Sequence, residues 1–397
     1  MTDELLTKVS ERWVVKDLYR GDKTAAGSPK LFRISKKQMW QALAVQVRLI
    51  GLQKKCTEND PVKHPLKKFI RECIDYFNDK CEDLEQQISF KVVEKLMTIL
   101  TFDGFEDCVN KAFQDIVFKL GQSVAGDEKL FHFTGDSGDI RLVISKPDRI
   151  GLWFYELVAP LANGQYYMLY VKLQTSRNGD VSVESIVRDW INIVKFTGAS
   201  TEMDLPNPKT MLVYDSYYQV EGGRQACIEN HVKFSCSVRP DRMQAQRKLL
   251  QQAQSEKPGD EETIYLERTN ELFTYHYDPQ KGVGKKYNLT HGLIRSEVLA
   301  KVKENTGVIP GYDMYKAMFE ACDRFNRNLH DKHWPYKRGG KGRKGEWGTS
   351  HDFFMACILQ NTFSAHSQIL GYDPKSLSFK QKCEKLSDDM YEYSCSI

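Results

Sequence analysis

The sequence predicts a mixed α/β fold in which a sheet-based core, interrupted by an insertion, lies between helical units at both ends. Three observations carry this reading. Apolar residues recur at helical spacing over residues 30–120, the period shortens to that of strands from about 122, and helical spacing returns after Pro310.

In the first stretch, Ser35 followed by Gln38 reads as a capping box, and Met39, Leu43, Val47 and Ile50 form one apolar face behind it. A second helix is expected after His64-Pro65, through Phe69, Ile70, Cys73, Ile74 and Phe77. A third is expected over 86–100, through Val92, Val93, Leu96 and Leu100.

The middle stretch reads as strands at 140–145, 151–159 and 166–173, with Asn163-Gly164 turning the last two into a hairpin. A helix through Ile186, Val187, Trp190, Ile191 and Val194 follows, then a buried strand Met211-Leu212-Val213-Tyr214 that ends at Asp215. A short helix near 222–230 and a strand through Val232, Phe234, Cys236 and Val238 complete the order strand, strand, strand, helix, strand, helix, strand. RNase H-like nucleases use that order.

Residues 243–309 are expected to form an insertion, with a Gln/Lys-rich exposed helix end and strands at 264–267 and 272–277. The closing helices run through Tyr315, Met318, Phe319, Cys322 and Phe325, and, beyond a basic loop at 336–348, through Phe353, Phe354, Cys357, Ile358 and Phe363. The chain thus divides into a polar leader (1–30), an N-terminal helical unit (31–120), the first part of the core (121–242), the insertion (243–309), a core helix (310–330) and a C-terminal helical unit (331–397).

Composition removes several function classes. The net charge is only +4 over 397 residues, so a polyanionic partner has to be met by local clusters of charge. No run of about 18 apolar residues is present, and MTDELLTKVSERW is polar where a signal peptide needs an apolar stretch, so a soluble intracellular protein is expected. The ten cysteines contain no C-x-x-C pair, which argues for reduced, mostly buried thiols and against a zinc finger or a disulfide framework. His132, His276 and His333 lack zinc-site spacing, and neither a cofactor fingerprint nor a phosphate loop is visible.

What remains is a set of carboxylates. Asp127 and Asp215 sit where strand signals begin or end, and Asp323 lies on the apolar-striped helix. In-line attack on a phosphodiester is served by two divalent cations roughly 3.5–4 Å apart, and hard oxygen ligands such as aspartate suit magnesium. By itself, Asp215 before Ser-Tyr-Tyr is weak evidence, since an Asp at a strand end more often caps or turns the chain.

The surrounding sequence supplies a resemblance. VYDSYYQVEGGRQACIENHVKFSCSVRPDR, SVAGDEKLFHFTGD followed by KPDRIGLWFYEL, and MFEACDRFNRNLHDKHWP followed by HDFFMACILQNTFSAH, which includes Asn361, resemble in order the motifs of piggyBac-like DNA transposases over about residues 85–370. The resemblance implies an RNase H-like core in which Asp127, Asp215 and Asp323 are the catalytic, metal-holding carboxylates, with two Mg²⁺ or Mn²⁺ ions. It implies cleavage and strand transfer on double-stranded DNA at transposon ends and target, a TTAA-type target, a homodimer, helical units that dimerise and bind end DNA, and a nuclear location.

Candidate DNA contacts are Arg239 and Arg242 after the last core strand, and Lys337, Arg338, Lys341, Arg343 and Lys344 between Trp334 and Trp347. For each of these groups a solvated surface is the bland alternative, and Trp334 beside Pro335 equally suits a packing role.

The sequence also departs from the family pattern. Glu320-Ala321-Cys322 replaces the usual glycine pair before the third aspartate, Asn326 stands where a further Asp is common, and the C-terminus lacks zinc-ligand spacing. These departures define the alternative, a domesticated DNA-binding or scaffold protein without strand transfer.

Overall fold

A computed structural model of the chain describes residues 35–52, 65–81, 87–90, 92–93, 105–115, 123–132, 139–144, 149–175, 181–196, 210–239, 241–245, 247–248, 261–266, 270–278, 283–292, 312–330, 346–371 and 376–397. Among these residues there are eight helices and one mixed nine-stranded sheet. The helices are α1 (Lys36–Gly51), α2 (Pro65–Asn78), α3 (Phe105–Asp115), α4 (Val183–Phe196), α5 (Glu221–Glu229), α6 (Tyr312–His330), α7 (Glu346–Leu370) and α8 (Phe379–Ser396). The strands are β1 (Ser123–His132), β2 (Arg141–Leu142), β3 (Ile150–Pro160), β4 (Tyr166–Leu173), β5 (Met211–Tyr214), β6 (Phe234–Ser237), β7 (Glu261–Leu266), β8 (Glu271–Asp278) and β9 (Val283–His291). The chain forms two compact units, one of residues 113–132 and 138–327, the other of 1–112, 133–137 and 328–397.

The sheet belongs to the first of these units. β3 pairs antiparallel with β4 and β1, β5 runs parallel to β1, and β6 runs parallel to β5. The β3–β4 hairpin turns at Asn163-Gly164, as the sequence predicts. Gly164 has φ +74°, its N–H donates to the Leu161 carbonyl at 3.0 Å, and the Asn163 side chain accepts from Gln165 N at 3.1 Å.

Two strands escape the hydropathy pattern. β1 carries Gly126-Asp127-Glu128-Lys129 at its centre, which breaks the alternation of apolar residues, while the segment read as a strand at 140–145 is reduced to the two-residue edge strand β2. Gly126 is required there by a close approach, since a Cβ would sit 2.5 Å from the Trp190 ring of α4. β9 is masked by its polar residues. Buried Asn288 donates to the Cys236 carbonyl at 3.3 Å, and Thr290 shares a hydrogen bond with Ser235 at 3.1 Å. Through β9 the strands β8 and β7 extend the same sheet. Asn288 is 1% exposed within this sheet.

The other unit is helical. Ser35 and Gln38 form the predicted capping box on α1, and Ser378 and Gln381 form a second one on α8. Val47 and Ile50 of α1 pack with Leu359 and Phe363 of α7 and with Cys383 and Leu386 of α8. Burying each large side chain of this kind contributes about 1.5–3 kcal/mol. Gly51 lets α1 and α8 close, because a Cβ there would lie 2.5 Å from that of Cys383. Asp388 of α8 accepts from the Tyr76 hydroxyl at 3.2 Å and pairs with Lys80 at the same distance, and the Arg48 guanidinium lies over the Tyr76 ring.

Of the nine described cysteines, six are buried. No helix among the described residues is long and apolar enough to cross a membrane. The helix predicted at 86–100 lies mostly outside the described residues.

Candidate active site

Asp127 and Asp215 come from neighbouring parallel strands. The β1–β5 register pairs Ala125 with Val213 and Gly126 with Tyr214, and Asp127 and Asp215 are the next residues on each chain. Side chains alternate across a sheet. Gly126 faces Trp190 of α4, so Ala125 and Asp127 face the other way, as do Met211 and Val213, which pack against Tyr315, Met318 and Phe319 of α6. The two aspartates therefore share the α6 side of the sheet. Asp215 also turns the chain, its Oδ1 accepting from Tyr217 N at 2.6 Å, which is the turn-forming role the sequence allowed for it.

Asp323 lies on α6 directly after Cys322, whose Sγ donates to the Ala125 carbonyl at 3.2 Å. Burial, followed by the charges of Glu156, Asp127, Asp323 and Glu128, pushes the Cys322 thiol well up. Burial likewise raises the Tyr315 hydroxyl, with contributions from Asp215 and Asp127. Asp127 thus acts electrostatically on the same stretch of α6 as both other aspartates. Asp323 itself is exposed and opens onto a polar depression along α6, with Lys316, Glu320, Arg324 and Arg327. Neither strand aspartate lines that depression.

Among the described residues, no three His, Cys, Asp or Glu side chains are close enough to enclose a metal ion. The donors have the right chemistry for a hard cation. Two of them are adjacent, and the third stands at the outer edge of the helix above them.

Other groups around the site were not legible in the sequence. Glu156, fully buried in the centre of β3, is the register partner of Asp127 and accepts a hydrogen bond from Asn326 of α6. On the opposite face the Tyr218 hydroxyl donates to Glu128 at 2.8 Å and its ring packs on Trp190. Burial and the Glu128 and Asp127 charges raise the Tyr218 pKa, so Tyr218 remains a donor. Glu156 sits in an apolar run, and nothing in its local pattern announces a cross-strand partner.

The basic candidates divide into two sets. Arg239 donates through Nε to the Ser216 carbonyl at 3.0 Å and its guanidinium lies 5.7 Å from the centre of the Tyr217 ring, so it braces the loop that follows Asp215. Arg242 reaches the Gln219 side chain of the same loop at 3.4 Å. Trp334, Lys337, Arg338, Lys341, Arg343 and Lys344 lie outside the described residues.

The chain is similar to the transposase in a cryo-EM structure of the piggyBac transposase synaptic complex with hairpin DNA, with a TM-score of 0.64. The match covers 100% of this chain and 79% of that one, at 12% sequence identity. The two chains share a fold. No family model and no curated protein matches the sequence.

Proposed function

We propose that this protein is a transposase-like enzyme that cuts DNA and joins the freed end to a new site. The observation that carries the reading is that Asp127 of β1 and Asp215, which directly follows the parallel partner strand β5, are the next residues after the paired register, on the sheet face covered by the helix that bears Asp323. The strand order β4-β3-β1-β5-β6, antiparallel through the first three and parallel across the last three, supports assigning the core to the RNase H-like class. The shared fold supports DNA as the substrate in this proposal, since the similar structure is a transposase synaptic complex with hairpin DNA.

In this reading Asp127, Asp215 and Asp323 would hold two Mg²⁺ or Mn²⁺ ions. Such ions, when bound, supply a nucleophile at neutral pH and offset charge on the leaving oxygen. Three carboxylates brought together repel one another unless a cation or protons intervene, so Asp323 would close on the strand pair as a cation binds. The protein's own residues do the positioning. Arg239 and Arg242 shape the loop after Asp215, Tyr217 offers an exposed ring beside it, and Lys316 and Arg327 present cations on either side of Asp323 along α6. The basic segment Lys337 to Lys344 with Trp334 would contact DNA outside this centre. Dimerisation, a TTAA-type target and a nuclear location belong to the same proposal.

A second reading, a DNA-binding scaffold without strand transfer, is favoured by Asn326 in place of a carboxylate and by the absence of a closed three-ligand group among the described residues. One assay separates the two. Purified protein is incubated with plasmid and short duplexes carrying a recessed 3′-hydroxyl, in Mg²⁺ or Mn²⁺, and covalent joining is read on a denaturing gel. The enzyme reading predicts joined products that EDTA abolishes, whereas retarded duplex without any joining supports the scaffold.

A further inference from the structure

α6 is fastened to the sheet by contacts in which none of the three aspartates takes part. Glu156 is 0% exposed at the centre of β3, and a buried carboxylate is costly unless a donor faces it. Here the Nδ2 of Asn326, 8% exposed, donates to Glu156 Oε1. One turn earlier on the same helix, the Cys322 thiol donates to the Ala125 carbonyl of β1 at 3.2 Å. Asp323 follows Cys322 directly and precedes Asn326 by three residues, so these contacts bracket it.

We propose that Glu156 and Asn326 form a latch that seats α6 on β1 and β3 and thereby fixes the approach of Asp323 to Asp127. They are positioning residues, and the departure from a carboxylate at 326 has a physical reason. A second acid there would press like charges together in a buried contact, whereas an amide satisfies Glu156 as a neutral donor. The polarity of the pair is arbitrary: an amide on the sheet and an acid on the helix would make the same bond. The latch stands on these contacts alone, and only its consequence for Asp323 rests on the transposase-like reading.

Cys322 is the reporter, since it is buried beneath α6 in the wild-type protein. The full chain is pulsed with a maleimide under native conditions, and labelling of each cysteine is read by peptide mass spectrometry. Breaking a buried hydrogen bond to a charged group raises opening about tenfold or more. Asn326→Asp is therefore expected to raise Cys322 labelling about tenfold while Cys227 and Cys236, buried elsewhere in the unit, stay protected. The reciprocal variant Glu156→Gln/Asn326→Asp is expected to return Cys322 to wild-type protection.

Unchanged labelling in Asn326→Asp overturns the latch, and so does a folded double variant that leaves Cys322 reactive. If Cys227 and Cys236 become reactive together with Cys322 in the single variant, the unit has opened as a whole, and the double variant alone decides. DNA nicking by the same proteins reads the consequence. If the wild type nicks and Asn326→Asp nicks equally fast despite an exposed Cys322, the role assigned toward Asp323 is wrong. If the latch behaves as expected and even the wild type fails to nick, the latch stands and the transposase-like reading falls.

Discussion

Gly126 shows how a single residue sets the geometry of the candidate site. Its missing side chain is the space taken by the Trp190 ring, and that contact turns Asp127 toward the opposite, α6-covered face. Gly126→Ala would force a methyl to within 2.5 Å of a fully buried indole. Overpacking of this kind costs about 1–3 kcal/mol, so the variant should melt at lower temperature and lower denaturant, read by circular dichroism. Unchanged stability would mean that α4 does not press on β1 as described.

The same scale shows what the sequence could reveal. Asp127, Asp215 and Asp323 stand out because short motifs surround each of them, and all three fall in one unit, on β1, directly after β5 and on α6. Glu156, Trp190 and Tyr218 do not stand out, because their roles exist only across strands and between a helix and the sheet. Hydropathy read Glu156 merely as part of a strand, and Trp190 merely as part of a helical stripe.

At the level of elements, strands with continuous apolar runs were legible nearly to the residue, as in β4 and β5, and the apolar stripe of α4 marked that helix. Elements stabilised by polar contacts were not. β1 is interrupted by the residues that build the site, and β9 buries Asn288, Thr290 and His291 at positions where alternation would demand apolar side chains. Such strands are held by specific partners and not by bulk burial, so their signal is spread over distant segments.

One of these partnerships ties β8 to α5. Arg224 donates to both carboxylate oxygens of Glu271, at 2.7 and 2.6 Å, and Glu271 is fully buried. Removing one member of a buried pair leaves an uncompensated charge and costs about 3–5 kcal/mol. Arg224→Ala is expected to unfold the sheet unit at markedly lower denaturant, and Arg224→Ala/Glu271→Leu should recover much of the loss. A neutral Arg224→Ala would show that the pair does not hold β8 to α5.

Over the whole molecule, a net charge of +4 supplies little overall excess for DNA, so recognition of a polyanion falls to local clusters of charge. The sheet unit carries the candidate chemistry, while the helical unit is built around α1, α7 and α8. That division follows the change of period in the sequence, yet Asp127, Asp215 and Asp323 span 197 residues, from 127 to 323 inclusive, and no local pattern predicts that Asp127 and Asp215 fall beside each other under the helix that bears Asp323.

In the proposed function these three aspartates together cut DNA. The most direct test is nicking of supercoiled plasmid in Mg²⁺ or Mn²⁺ by the wild type, Asp127→Ala, Asp215→Ala and Asp323→Ala, each shown to be folded. Metal-dependent nicking by the wild type is expected to fall by at least about a hundredfold in every variant, the scale seen when a group essential to transition-state stabilisation is removed. Nicking that persists in the three variants, or a folded wild type that binds DNA and never cuts it, would contradict the claim.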